Sequence, residues 1–137
     1  MKTRIVGFLC DWCSRMTADT LGADYQRIPD SIKVLGVECT GRVDPLFLID
    51  AYLRGADGVL VMGCQPGQCH FKEGNYLARR RMALLRDIFE ILDLDADRLD
   101  IEWIPETQAR HIAKMAAGFE AQIEEQGPNP LRSELFV

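Results

Sequence analysis

The chain lacks the signatures of several common protein classes. Its 137 residues hold no Gly-x-Ser-x-Gly elbow, no Walker-type phosphate loop and no Gly-x-Gly-x-x-Gly after the first apolar run. No motif therefore supports hydrolysis or a nucleotide cradle. Positive charge is in deficit: 16 Lys and Arg against 21 Asp and Glu leave a formal net charge of −5. That balance argues against nucleic acid as the main partner, because phosphate-binding surfaces carry a basic excess. No segment approaches the roughly 18 apolar residues that span a bilayer. There is no internal repeat, low-complexity stretch or linker. Met1-Lys2-Thr3-Arg4 and the apolar run after it resemble a signal peptide only superficially, since the run is short and no small-residue cleavage site follows.

What is present reads as one α/β domain over residues 1–130 with a tail at 131–137. Hydrophobic residues make up 47% and charged residues 27%, as in soluble globular proteins. Apolar runs of strand length occupy residues 4–10, 32–38 and 58–63, with a weaker fourth at 100–104. Helical patterns alternate with them. Asp44-Pro45 caps a helix that Gly55 ends, and Leu77, Leu84, Leu85, Ile88, Ile91 and Leu92 mark a longer one. Ile112, Met115, Ala116, Phe119 and Ile123 mark the last, stopped by Gly127-Pro128-Asn129-Pro130, while a short first helix falls within 14–23. This order predicts a small flavodoxin-like, doubly wound parallel sheet of about four strands in the order 2-1-3-4. The tail is read as an arm that docks on a partner.

Against this generic background the five cysteines stand out. Cys10-Asp11-Trp12-Cys13 and Cys64-Gln65-Pro66-Gly67-Gln68-Cys69 are close pairs, and Cys39 opens Cys39-Thr40-Gly41-Arg42. Each group follows a predicted strand, so all fall at the carboxyl edge, where open α/β sheets place their ligands. A cytoplasmic location is expected, and there close cysteines mean metal or redox chemistry more often than disulfides; an odd count also fits disulfides poorly. A lone strand-end cysteine is usually core, a reading that suits Cys39 but not two pairs. Iron–sulfur leads. A zinc-stabilised adaptor and a thiol–disulfide oxidoreductase using Cys10 and Cys13 are the rivals.

Gly41, Gly63, Gly67 and Gly74 let backbone approach the thiols, Pro66 stiffens its loop, and Trp12 is placed to shield one face. His70 either bonds a cluster sulfur, replaces a thiolate or simply bonds backbone, and His111 reads as a surface residue. Arg42 either donates to a sulfur or partner carboxylate or caps a turn. Arg79-Arg80-Arg81 is either a docking patch that also stabilises a reduced centre or a solvated face.

The series Cys10-x-Trp12-Cys13, Cys39-Thr40-Gly41-Arg42-Val43-Asp44-Pro45, Gly55-Ala56-Asp57-Gly58-Val59, Gly63-Cys64-x-Pro66-Gly67-x-Cys69-His70, Gly74-Asn75 and Arg79-Arg80 resembles the delta subunit of methyl-viologen-reducing hydrogenase, the hydrogenase iron–sulfur subunit family. The resemblance implies a 2Fe–2S cluster and a non-catalytic electron-transfer role. It implies partners of two kinds, a hydrogenase or formate dehydrogenase-like input module and the A-type flavin subunit of a heterodisulfide reductase, where flavin-based electron bifurcation occurs. It makes Cys10, Cys13, Cys39, Cys64 and Cys69 the candidate ligands. Such a cluster takes four, so one is spare. The two pairs are preferred, leaving Cys39 as a structural thiol or an alternate ligand. Because the cysteines occupy the loops where a flavin phosphate would sit, a flavin on this chain alone is not expected.

Overall fold

The computed structural model describes residues 3–10, 29–64, 74–104 and 110–131. Four strands, β1 (Ile5–Cys10), β2 (Ile32–Val37), β3 (Gly58–Cys64) and β4 (Leu99–Ile104), form one sheet in the order β2-β1-β3-β4. All three pairings are parallel, which forces each connection to cross the sheet. The predicted order 2-1-3-4 is therefore the observed one, with strand ends shifted by a residue. Helices α1 (Pro45–Leu53) and α2 (Gly74–Ile91) carry the chain from β2 to β3 and from β3 to β4, and α3 (Arg110–Gln126) follows β4. The helix expected within 14–23 lies outside the described residues. No described helix is long and apolar enough to cross a membrane.

Alternation along the strands divides the core in two. Phe8, Val59, Val61 and Leu99 meet Leu48 and Tyr52 of α1 and Met82, Leu85 and Phe89 of α2 on one face. Ile5, Leu9, Ile32, Leu60 and Met62 meet Ala116, Phe119 and Ile123 of α3 on the other. Central strands covered on both sides must be apolar throughout, which is why β1 and β3 read as unbroken runs. The cap of α1 is as expected: Asp44 Oδ1 accepts from the Leu46 N–H at 2.9 Å and Pro45 opens the helix.

The apolar stripe of α2 is corrected. Of the six residues assigned to it only Leu85 is buried, and the row facing the core is Ala78, Met82, Leu85 and Phe89. Leu84 and Ile91 are 60% and 80% exposed, with Leu77, Ile88 and Leu92 also open. The helix is apolar along two rows, and the sheet takes the one that seats Phe89 against Tyr52, ring centroids 4.9 Å apart.

At the amino edge the end of α3 is locked down by buried polar groups. Gly127, at φ 84°, turns the chain out of the helix. The Arg98 guanidinium then donates to the carbonyls of Gly127 and Asp57, both at 2.9 Å, and to those of Gln126 and Pro128 at 3.4 Å. The Asp57 carboxylate accepts from the N–H groups of Arg4 and Asn129 at 2.8 and 2.7 Å. Asn129 Nδ2 donates to Tyr52 O and Ala56 O at 2.8 and 2.9 Å. Gly127-Pro128-Asn129-Pro130, read from sequence as a helix stop, is thus bonded into the base of the sheet.

Candidate metal centre

At the carboxyl edge, Cys10 ends β1 and Cys64 ends β3. Leu9 is level with Met62, so the two cysteines terminate neighbouring strands within one position of each other, about 4.8 Å apart laterally. Cys39 lies two residues past the end of β2, on the other side of β1. Cys10 and Cys39 are 2% and 5% exposed. The Cys10 thiol lies 4.0 Å from the Glu38 carbonyl, and Cys39 Sγ accepts from the Gly41 N–H at 3.4 Å.

The Cys39 loop is interlocked with the segments around it. Cys39 caps a 3-10 turn, Thr40–Arg42, in which the Arg42 N–H bonds Cys39 O at 2.9 Å and the Val43 N–H bonds Thr40 O at 3.0 Å. Buried Thr40 packs on Gly63, where an added Cβ would stand 2.5 Å from Thr40 Cγ2; a Cβ at Gly41 would stand 2.8 Å from Gly74 Cα. Only glycine admits such approaches. The residues flanking Cys64 and opening α2 are therefore fitted to the loop that carries Cys39.

The arginines separate into different roles. Arg42 is exposed, 3.9 Å from Glu38, a pairing worth little in water. Arg79 lies over the Tyr76 ring at 5.7 Å and Arg80 is exposed. Arg81 is half-buried, and its Nη1 donates to Gly41 O at 2.6 Å and Val43 O at 3.4 Å. Sequence reasoning missed this, because a run of three arginines carries no mark of which one turns inward.

Cys13, Cys69, Trp12, Pro66, Gly67 and His70 lie outside the described residues, and of Cys64 and His111 only the backbone is described. Among the described residues no three Cys, His, Asp or Glu side chains form a metal-binding group. The two described thiols are buried at strand ends, and one accepts a backbone N–H, an environment that fits soft-metal ligation through sulfur. On β4, burial first, and then the neighbouring Asp100 carboxylate, pushes the Glu102 carboxyl above the usual range.

Fold and site together define a small doubly wound α/β domain that presents cysteines at its carboxyl edge. Within that class, the chain belongs to the family described as methyl-viologen-reducing hydrogenase, delta subunit, which it matches over residues 5–127. It is 41% identical over 127 residues to the iron-sulfur subunit of the F420-non-reducing hydrogenase of Archaeoglobus profundus, covering 93% of each chain. It is 37% identical to the vhc iron-sulfur subunit of the corresponding hydrogenase of Methanococcus voltae, covering 96% of this chain and 91% of that one. A third relative is the A-type subunit of the ferredoxin/F420H2-dependent CoB-CoM heterodisulfide reductase of Methanosarcina acetivorans. There 40% identity over 124 residues covers 90% of this chain but 16% of the larger protein.

Proposed function

We propose that this chain is an electron-transfer subunit that carries a 2Fe–2S cluster at its carboxyl edge. Its partners would be a hydrogenase or formate dehydrogenase-like input module and the A-type flavin subunit of a heterodisulfide reductase or related complex. The observation that carries the reading is the pair of buried thiols, Cys10 at the end of β1 and Cys39 just past the end of its neighbour β2, with Cys64 ending the strand on the other side of β1. Family membership supports it, as does the iron–sulfur designation of its hydrogenase relatives. The relation to part of an A-type heterodisulfide reductase chain supports that partner.

Cys10, Cys13, Cys39, Cys64 and Cys69 are the residues that would hold the cluster. When bound, it supplies a one-electron acceptor and donor. The chain's own work is to hold thiolates at fixed positions, limit water and set the distance to the partners. Burial of Cys10 and Cys39 and the close fit of Thr40 to Gly63 serve the first two tasks.

The test is anaerobic purification followed by iron, sulfide and zinc analysis and EPR of the dithionite-reduced chain. About two irons and two sulfides per chain, with a reduced S = 1/2 signal, are expected. Single Cys→Ser variants then identify the spare thiol. Zinc in their place, or no metal after anaerobic reconstitution, overturns the reading.

A further inference from the structure

We infer that Arg81 is the positioning residue of the cysteine edge: it holds the Cys39 loop against β3 and the start of α2, and so fixes where the Cys39 thiol stands. The loop's hydrogen bonding divides in two. Its N–H groups turn back into the turn itself, with Gly41 N–H on Cys39 Sγ, Arg42 N–H on Cys39 O and Val43 N–H on Thr40 O. Two of its carbonyls, those of Gly41 and Val43, turn instead to the Arg81 guanidinium. Bonds from an ionised donor are the stronger kind, and these join α2 to a turn 38 and 40 residues away in sequence.

The fit beneath the loop explains why one arginine suffices. With Thr40 against Gly63 and Gly41 against Gly74 the loop has a single seat, shaped by the absence of two Cβ atoms. Sterics define that seat and burial of Thr40 and Val43 favours it; Arg81 adds the bonds that fix the turn's carbonyls, and with them the position of Cys39. Successive residues on a helix turn by about 100°, so Arg79 and Arg80 cannot reach the same carbonyls, consistent with Arg79 over Tyr76 and Arg80 in solvent. The planar fork of arginine can approach two carbonyls at once, while lysine would bring a single ammonium.

This role stands in the metal-free chain; only its consequence for a cluster rests on the function proposed above. The experiment uses the full chain, metal-free and iron-reconstituted, as wild type, Arg81→Met and Arg81→Lys. Peptide-resolved N-ethylmaleimide labelling of the metal-free chain is expected to show Cys39 reacting about tenfold faster or more in Arg81→Met, through local loop opening. Arg81→Lys should recover much of the protection, and Cys10, within β1, should keep its wild-type rate. In the iron-loaded chain, the visible circular dichroism should change in Arg81→Met and return towards wild type in Arg81→Lys. Equal Cys39 labelling in wild type and Arg81→Met overturns the inference. A parallel rise at Cys10 also overturns it, because it marks general loosening. Unchanged visible dichroism in loaded Arg81→Met breaks the link to the metal site. If even wild type takes up no cluster, the proposed function fails while the labelling still decides the part played by Arg81.

Discussion

The amino and carboxyl edges of the sheet solve opposite problems with different residues. At the amino edge, Asp57, Arg98 and Asn129 are buried, and their side chains bond to backbone on four segments: Arg4, the end of α1, the start of β3 and the exit of α3. At the carboxyl edge the described groups are thiols, close-packed backbone and one guanidinium, that of Arg81, with Gly63 and Gly41 admitting the Cys39 loop. Burying polar groups is costly unless they are bonded, and the hydrogen bonds of Asp57, Arg98 and Asn129 tie the segments of the amino edge to one another. Thiols are weak hydrogen-bonding groups and can be buried with few such bonds, which suits them to the role proposed for them. One end of the sheet holds the fold together, while the other carries the cysteines to which the proposed function assigns the cluster.

The sharpest way to break that division is to damage one edge and read both. Asn129→Ala removes two bonds to buried carbonyls and the acceptor for the Leu131 N–H. It should lower stability by about 2–4 kcal/mol, seen as a fall in the urea midpoint at unchanged slope. Iron per folded chain should stay at the wild-type value. Cys10→Ser should do the reverse, losing iron while changing the metal-free stability by about 1 kcal/mol or less. If Asn129→Ala lost iron as completely as Cys10→Ser, the two edges would not be separate.

A second test acts within the carboxyl edge. Gly63→Ala places a Cβ 2.5 Å from Thr40 Cγ2, and overpacking of this kind costs about 1–3 kcal/mol. Thr40→Ser deletes that methyl, so the double variant should recover more than half of the loss. A double-mutant cycle by urea denaturation measures the coupling. Strict additivity of the two substitutions would show that the loop does not rest on Gly63.

The same contrast explains what was legible in the sequence. Strand order, all four strands and the cap at Asp44 were readable because apolar runs and capping residues are local signals. The positions of Cys10, Cys39 and Cys64 at or just past strand ends were readable because each ends or directly follows its apolar run, while Cys13 and Cys69 lie outside the described residues. The amino-edge lock was not: Asp57, Arg98 and Asn129 are separated by 41 and 31 residues, and each alone looks like a turn or surface residue. The sole hints are the Gly55–Val59 and Gly127–Pro130 blocks, which carry no sign of their bonding. The stripe on α2 failed for another reason. Two apolar rows share that helix, and periodicity alone does not say which one meets the sheet. Arg81 was hidden among its neighbours, since choosing one arginine of three requires knowing where the Cys39 loop packs.

The smallest expected effect lies on β4, where Asp100 and Glu102 share the face of Leu60 and Met62. Burial, then the charge of Asp100 and a hydrogen bond with it, raise the Glu102 carboxyl above its ordinary value. The folded chain therefore favours the neutral acid. The stability this provides is present below the ordinary glutamate range and is lost as pH rises through the raised folded value. At neutral pH the ionised pair is a small net penalty, reduced because Glu102 is only partly buried and solvent screens it. Glu102→Gln keeps the shape of the neutral acid at every pH. Its Tm should exceed that of wild type by about 1–2 °C at pH 7 and match it near pH 4. The gain should also shrink with added salt. Thermal melts at both pH values decide the matter: a difference that does not change with pH would mean that Glu102 acts through packing rather than charge.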